Sequence, residues 1–387
     1  MRIKQTAAII STYAADISGI CSAMYELGGM TVMHDASGCN STYNTHDEPR
    51  WYDMDSLVFI SALSEIEALL GDDDKLINDI VNAAKELKPK FITLGGTPIP
   101  MMMGTDFPAV ARQIERETGI MTFGLNTDGM HSYIFGVSKA FAALAERVCL
   151  DGVEKTKQLS VNILGATPLD FSINGTVRAM ADALEEQGIE VYAVWAMHTA
   201  KVEDLYERIQ TAGAAHVNLV VSASGLKAAK ILWKRFGIPY VIGTPCGKKF
   251  TQKITDGIRQ AAATGEHQNL CKYFPESDKV IIGESITALS LANALYEETG
   301  VGAKVLCAVD AEEELLSDGC VSARDEAEII PYLEKAKIVI ADPMYRPICS
   351  EHVQFVELPH EGFSGRIYRE QIPNLVEYFE QVAADWT

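Results

Sequence analysis

Glu117-Thr118-Gly119-Ile120 joins the end of an amphipathic stretch to a β-branched run through one glycine. The phrase returns as Glu186-Gln187-Gly188-Ile189, Arg235-Phe236-Gly237-Ile238 and Glu298-Thr299-Gly300-Val301. Glycine accepts the left-handed conformation that ends a helix, and the residues after it begin a buried strand. Between these joints, strand-like apolar runs lie at 30–33, 91–94, 161–164, 191–195, 218–221, 240–242, 280–282, 303–306 and 338–341. Helical periodicity separates them at 75–87, 107–117, 138–148, 175–187, 226–236 and 288–298. Strand and helix alternate throughout, which predicts parallel, doubly wound sheets.

The chain of 387 residues exceeds the size at which one core stops growing. Polar stretches at 151–158 and 265–279 reset the pattern and divide it. The expectation is therefore α/β: three consecutive Rossmann-like domains, 1–156, 157–270 and 271–387, with parallel sheets around a central cleft. Ligands in such sheets bind past the strand C-termini, so the informative residues should follow the strands.

A formal charge of −20 and the lack of a Lys/Arg stripe argue against nucleic acid as a partner. No apolar run has the length of a membrane span, and the first residues do not read as a signal peptide, so a cytoplasmic protein with no membrane partner is expected. No G-x-G-x-x-G follows a strand and no G-x-x-x-x-G-K-[ST] occurs, so ATP or NAD binding by this chain is not expected.

Eight cysteines in a reducing compartment are seldom a disulfide framework. Two stand in turn-like, small-residue surroundings, Gly19-Ile20-Cys21-Ser22-Ala23 and His34-Asp35-Ala36-Ser37-Gly38-Cys39, where backbone can approach an inorganic cluster and donate to its sulfides. Buried packing is the other fate open to such cysteines. Cys149, Cys271, Cys307, Cys320 and Cys349 lack metal-like spacing, and Cys246 follows a strand as a loop ligand, a reactive thiol or an inert residue.

The chain resembles the component 1 subunits of the nitrogenase family, which includes the light-independent protochlorophyllide and chlorophyllide reductases and the reductive cyclase of nickel-tetrapyrrole biosynthesis. Cys21 and the phrase 34–39 match the family's first Cys and its His-Gly-x-x-Gly-Cys. The run 94–106, Leu94-Gly95-Gly96-Thr97-Pro98 through Gly104-Thr105-Asp106, resembles its Thr-Thr-Cys-x-x-x-x-x-Gly-Asp-Asp loop. Further matches are Phe236-Gly237-Ile238-Pro239, Ala341-Asp342-Pro343-Met344-Tyr345 and Pro359-His360-Glu361-Gly362-Phe363. Two departures stand out. Pro98 replaces the third cluster Cys, which argues against an eight-iron cluster on the usual ligands. No Cys occurs within 221–225, where true nitrogenase holds its large cofactor. The resemblance therefore does not extend to dinitrogen reduction.

The resemblance implies a 4Fe-4S cluster shared between two subunits of a homodimer, Cys21 and Cys39 of each chain supplying two thiolates. It also implies an ATP-dependent iron protein as electron donor and a small-molecule or tetrapyrrole-like substrate, or a metal cofactor, as cargo. His360 stands roughly where nitrogenase has a cofactor-ligating His. His360 and His34 are the candidate catalytic proton donors, each with a structural role as its alternative. Met101-Met102-Met103 could line a site or fill a contact, and Arg50-Trp51-Tyr52 could belong to an interface or a cavity wall. The leading expectation is an iron-sulfur oxidoreductase that reduces a substrate other than dinitrogen. Its alternatives are a scaffold or carrier for assembly of a metal cofactor, and a sensor or structural role. Substrate-dependent reoxidation of a reduced cluster separates the first from the second.

Overall fold

The computed structural model describes residues 7–10, 12–38, 48–198 and 204–386. Fourteen strands are named among them. β1 (Met30–His34), β2 (Leu57–Ile60), β3 (Ile92–Gly96) and β4 (Thr122–Leu125) form a sheet in the order β2-β1-β3-β4. β5 (Ser160–Leu164), β6 (Glu190–Val194), β7 (Val217–Val220), β8 (Tyr240–Ile242) and β9 (Gln268–Asn269) form a second, β6-β5-β7-β8-β9. β10 (Lys279–Gly283), β11 (Lys304–Cys307), β12 (Cys320–Ser322), β13 (Ile338–Ala341) and β14 (Gln354–Glu357) form the third, β12-β11-β10-β13-β14. Every pairing between these strands is parallel.

The four glycine joints behave as the sequence predicts. Gly119, Gly237 and Gly300 are left-handed C-caps of the helices Phe107–Thr118, Leu226–Phe236 and Ser285–Thr299, and Gly188 takes the same conformation one residue past its cap. The strands that follow, β4, β6, β8 and β11, are buried over half or more of their length, and the central strands β5, β10 and β13 are buried throughout, as sheets covered by helices on both faces require.

The three sheets do not stand apart. One apolar core runs from Ile17 and Ile20 through Trp195 and Leu226 to Leu306 and Phe363. A second core joins the middle and last sheets and takes in Phe379 and Trp386, because the final residues cross back over the second sheet. There Gly247 N–H donates to Leu375 O at 3.2 Å and Asn174 Nδ2 donates to Ile372 O at 2.8 Å.

The helices Asp16–Met24 and Tyr133–Arg147 cross in backbone contact. A Cβ on Gly19 would come 2.1 Å from Tyr133 O, and one on Gly136 would come 1.8 Å from Asp16 O. Helices this close have no room for even a methyl group. Gly136→Ala should therefore destabilise the protein by about 3 kcal/mol, the upper part of the usual range for overpacking, and denaturant unfolding would measure it. A loss below about 0.5 kcal/mol would mean that the helices separate freely.

Candidate functional site

In each sheet the strand order reverses once, between β1 and β3, β5 and β7, and β10 and β13, and a crevice opens there at the strand C-termini. The side chains at these three crevices form the candidate site.

At the first, His34 ends β1 with 3% exposure. Its Nδ1 lies 2.8 Å from Ser61 Oγ, its ring meets Phe107 edge-on, and its Nε2 is buried without a hydrogen-bond partner. Burial pulls its basicity down. Cys21 lies in the Asp16–Met24 helix, fully buried. The neighbourhood that reads as a turn is helical, because Ile17, Ile20 and Met24 recur at helical spacing and Gly19 serves the helix crossing. Burial, then the nearby Glu48, pushes the Cys21 thiol far up. Cys39 lies outside the described residues. Among those described, no three His, Cys, Asp or Glu side chains gather as a metal site.

Arg50 is buried away from the free surface. It is 4% exposed, with Nε 2.6 Å from Glu48, Nη1 2.9 Å from Glu26 and 2.8 Å from Ala196 O, and Nη2 2.8 Å from Ser22 O. The guanidinium thus binds the residue after Cys21 to the loop after β6.

At the second crevice the loops after β5 and β7 touch. A Cβ on Gly165 would come 2.9 Å from Ser222 N, and one on Gly225 would come 2.6 Å from Leu164 C. One helical turn, Pro168–Phe171, follows β5 and ends at Ser172 with φ 53°, a conformation a non-glycine residue rarely takes. It carries Asp170, whose side chain is wholly buried. Asp170 Oδ1 accepts the Tyr133 hydroxyl at 2.5 Å, and Oδ2 has no hydrogen-bond partner. Burial, then Glu284, pushes the Asp170 acid well up. The Tyr133 hydroxyl is raised too, by burial first and Asp170 second.

At the third, Glu284 follows β10 and accepts from Ala223 N, Ile286 N, Thr287 N and Ser285 Oγ at 2.9–3.0 Å. It thereby ties the third crevice to the second. Asp342 follows β13 and accepts His360 N–H and Ser364 Oγ, both at 2.8 Å. That grip sets the loop of His360. Gly362 N–H donates to His360 Nδ1 at 3.1 Å, Nε2 stands 3.7 Å from Asp170 Oδ1, and burial pulls the ring's pKa down to about 4. Tyr133 from the helix after β4, Asp170 from the turn after β5 and His360 from the loop after β14 thus meet at a single point.

Of the two expected proton donors, His360 is at this junction and His34 is in a different crevice. Sequence reading missed Asp170, Tyr133 and Glu284. The signal that could have found the two acids was a carboxylate just after a strand, in Gly165-Ala166-Thr167-Pro168-Leu169-Asp170 and Gly283-Glu284. Cys246 is buried, with Sγ 3.4 Å from Ser290 O. Met101 and Met102 are exposed on the Pro98–Met103 helix, beside the Glu65–Leu70 helix, which exposes Ile66, Leu69 and Leu70.

A three-sheet parallel α/β fold with a buried polar junction defines the class. The sequence pattern described as nitrogenase component 1 type oxidoreductase matches residues 24–332, and the chain belongs to that family. Nitrogenase iron-molybdenum cofactor biosynthesis protein NifE of Clostridium pasteurianum is 28% identical over 184 residues, 47% of this chain and 38% of that one. One of the light-independent protochlorophyllide reductase polypeptides of a Picosynechococcus species is 26% identical over 367 residues, 79% of this chain and 70% of that one. This chain thus spans well under two thirds of the NifE relative. A solved structure titled "Nitrogenase Cp1 at pH 6.5" shares the fold with a TM-score of 0.68 at 15% identity, covering 100% of this chain and 95% of that one.

Asp16 opens the helix of Cys21 and accepts from Asp128 N and Gly129 N at 3.0 Å and Ile17 N at 2.7 Å. Burial outweighs these bonds and pushes its carboxyl from 3.8 up to about 6. The folded state therefore favours the protonated acid. Its contribution to stability is complete below the unfolded value near 3.9 and is lost as pH rises through about 6. Between pH 4 and 7 the protein should lose about 2 kcal/mol more than an Asp16→Asn variant. Urea unfolding at the two pH values measures it, and identical pH slopes would count against a buried charge at Asp16.

Proposed function

We propose that the chain is an oxidoreductase subunit that takes electrons from an ATP-dependent iron protein and delivers them to a small-molecule or tetrapyrrole-like substrate other than dinitrogen. Family membership supports oxidoreductase chemistry. The observation that carries the reading is the convergence of Tyr133, Asp170 and His360, buried polar groups able to hold protons, on one point between the three sheets. Reduction of an organic substrate takes protons as well as electrons, and Asp170 and Tyr133, kept protonated by burial, can hold them near neutral pH.

In this proposal Cys21 and Cys39 of each of two copies hold a 4Fe-4S cluster in a cytoplasmic homodimer, and the cluster's chemistry is one-electron transfer. The burial of Cys21 suits such a group, since low solvent access is one of the factors that set a cluster's potential. The negative environment that now opposes its thiolate would be offset by the charge of bound iron. The exposed apolar side chains Leu69, Leu70 and Met102 support a contact between copies on the same unit. His34 and His360, the expected proton donors, each have an unpartnered buried Nε2 and, being neutral imidazoles, would offer the substrate a hydrogen bond.

A carrier role in assembly of a metal cofactor is the second reading, favoured by the identity with the NifE relative. Anaerobic preparation with iron and sulfide counts and electron paramagnetic resonance tests the cluster. Cys21→Ala or Cys39→Ala should each abolish it, whereas Cys149→Ala, at a thiol bonded to Ile209 O, should keep it. An unchanged iron content in Cys39→Ala, or full iron in a monomer, would defeat the proposal. Reoxidation of the reduced protein by substrate then separates enzyme from carrier.

A further inference from the structure

Behind the Asp170 and His360 junction, the second and third sheets face each other across a cavity of ≈ 90 Å³. Its walls are apolar, with Phe171, Met180, Ile282, Leu291 and Leu375 prominent, and the 372–376 segment closes one side. Small-molecule sites combine apolar walls with a few convergent polar groups. Among the described residues, the polar atoms of the lining without a partner at hydrogen-bond distance are His360 Nε2 and Asp170 Oδ2, although the Ser222 hydroxyl stands close enough to Asp170 to influence it. Thr244, also in the wall, has already spent its hydroxyl hydrogen on Val221 O at 2.6 Å.

We propose that this cavity binds a small uncharged apolar molecule through one carbonyl oxygen, received by His360 Nε2–H and the Asp170 carboxyl. The donor assignment follows from the bonds around the pair. Gly362 N–H occupies His360 Nδ1, so the ring proton of the neutral imidazole is on Nε2. Tyr133 O–H occupies Asp170 Oδ1, and no Lys or Arg pairs with Asp170 among the described residues, which leaves the acid proton on Oδ2. At 3.7 Å the His360 and Asp170 side chains are too far apart to satisfy each other. Two donors without acceptors, in an apolar chamber, call for a ligand that brings an acceptor and no charge. Cys21 is not among the residues that line the cavity, so probe binding is measured without a cluster.

Acetophenone and ethylbenzene differ by the carbonyl alone and serve as probes for titration calorimetry on the full chain. Acetophenone should bind about a hundredfold more tightly than ethylbenzene, because each of the two hydrogen bonds to its carbonyl is worth about tenfold. His360→Phe and Asp170→Leu should each weaken acetophenone binding about tenfold and leave ethylbenzene unchanged, while Asp170→Asn, which keeps a donor, should retain it. Circular dichroism establishes that each variant folds, and if Asp170→Leu does not, His360→Phe decides. Equal affinities for the two probes, no binding of either, or acetophenone binding indifferent to His360→Phe would overturn the proposal. Any of these would leave water as the partner of the two donors.

Discussion

The buried Arg50 guanidinium is the interaction on which much of this structure rests. It is a permanent charge with almost no access to water, and it is tolerated because two carboxylates and two backbone carbonyls surround it. Those partners come from the helix of Cys21, the residues just after it, its own turn and the loop after β6. Its plane also lies over the Tyr25 ring at 4.6 Å. Removing one member would leave buried charge unmatched, which typically costs about 3–5 kcal/mol. The knot therefore fixes where the first sheet's helix meets the second sheet. Ala196, which supplies one carbonyl, is held at φ 80°, a strained conformation for alanine that this grip helps maintain.

With that joint fixed, the remaining contacts bring the crevices of three similar sheets together. Glu284 reaches from the third crevice to Ala223 in the second, and Asp342 clamps the loop of His360. Tyr133 crosses from the first unit to Asp170. The result is a junction where carboxyl, phenol and imidazole are all shifted toward their neutral forms by burial. Low dielectric makes such groups sensitive to one another, and a proton moved at one is felt at the next. A parallel sheet alone would not do this. The convergence of three crevices does.

The two expected proton donors show how far local reading of the sequence reaches. His34 and His360 each follow a strand, as the rule for open sheets requires, and both prove to be buried with an orphaned Nε2. The sequence could not tell that they occupy different crevices, because a strand's neighbours in a parallel sheet are set by crossovers and not by adjacency in the chain. Cys21 shows the converse error. Its glycine and small neighbours resemble a turn, yet they permit two helix backbones to touch, a role visible only once the second helix is in place.

What the sequence determined by itself was periodic and local. Helix ends at Gly119, Gly188, Gly237 and Gly300, buried strands after them and the alternation that makes the sheets parallel all follow from interactions within a few residues. The phrases around Cys21, Cys39 and His360 likewise carried the family resemblance. The tertiary structure alone decided the roles of Arg50, Asp170, Tyr133 and Glu284. Arg50 finds a carbonyl 146 residues away and Asp170 a hydroxyl 37 residues away. Burial and charge are properties of a place in the folded molecule, summed over every element packed around it, and no window of sequence contains that sum.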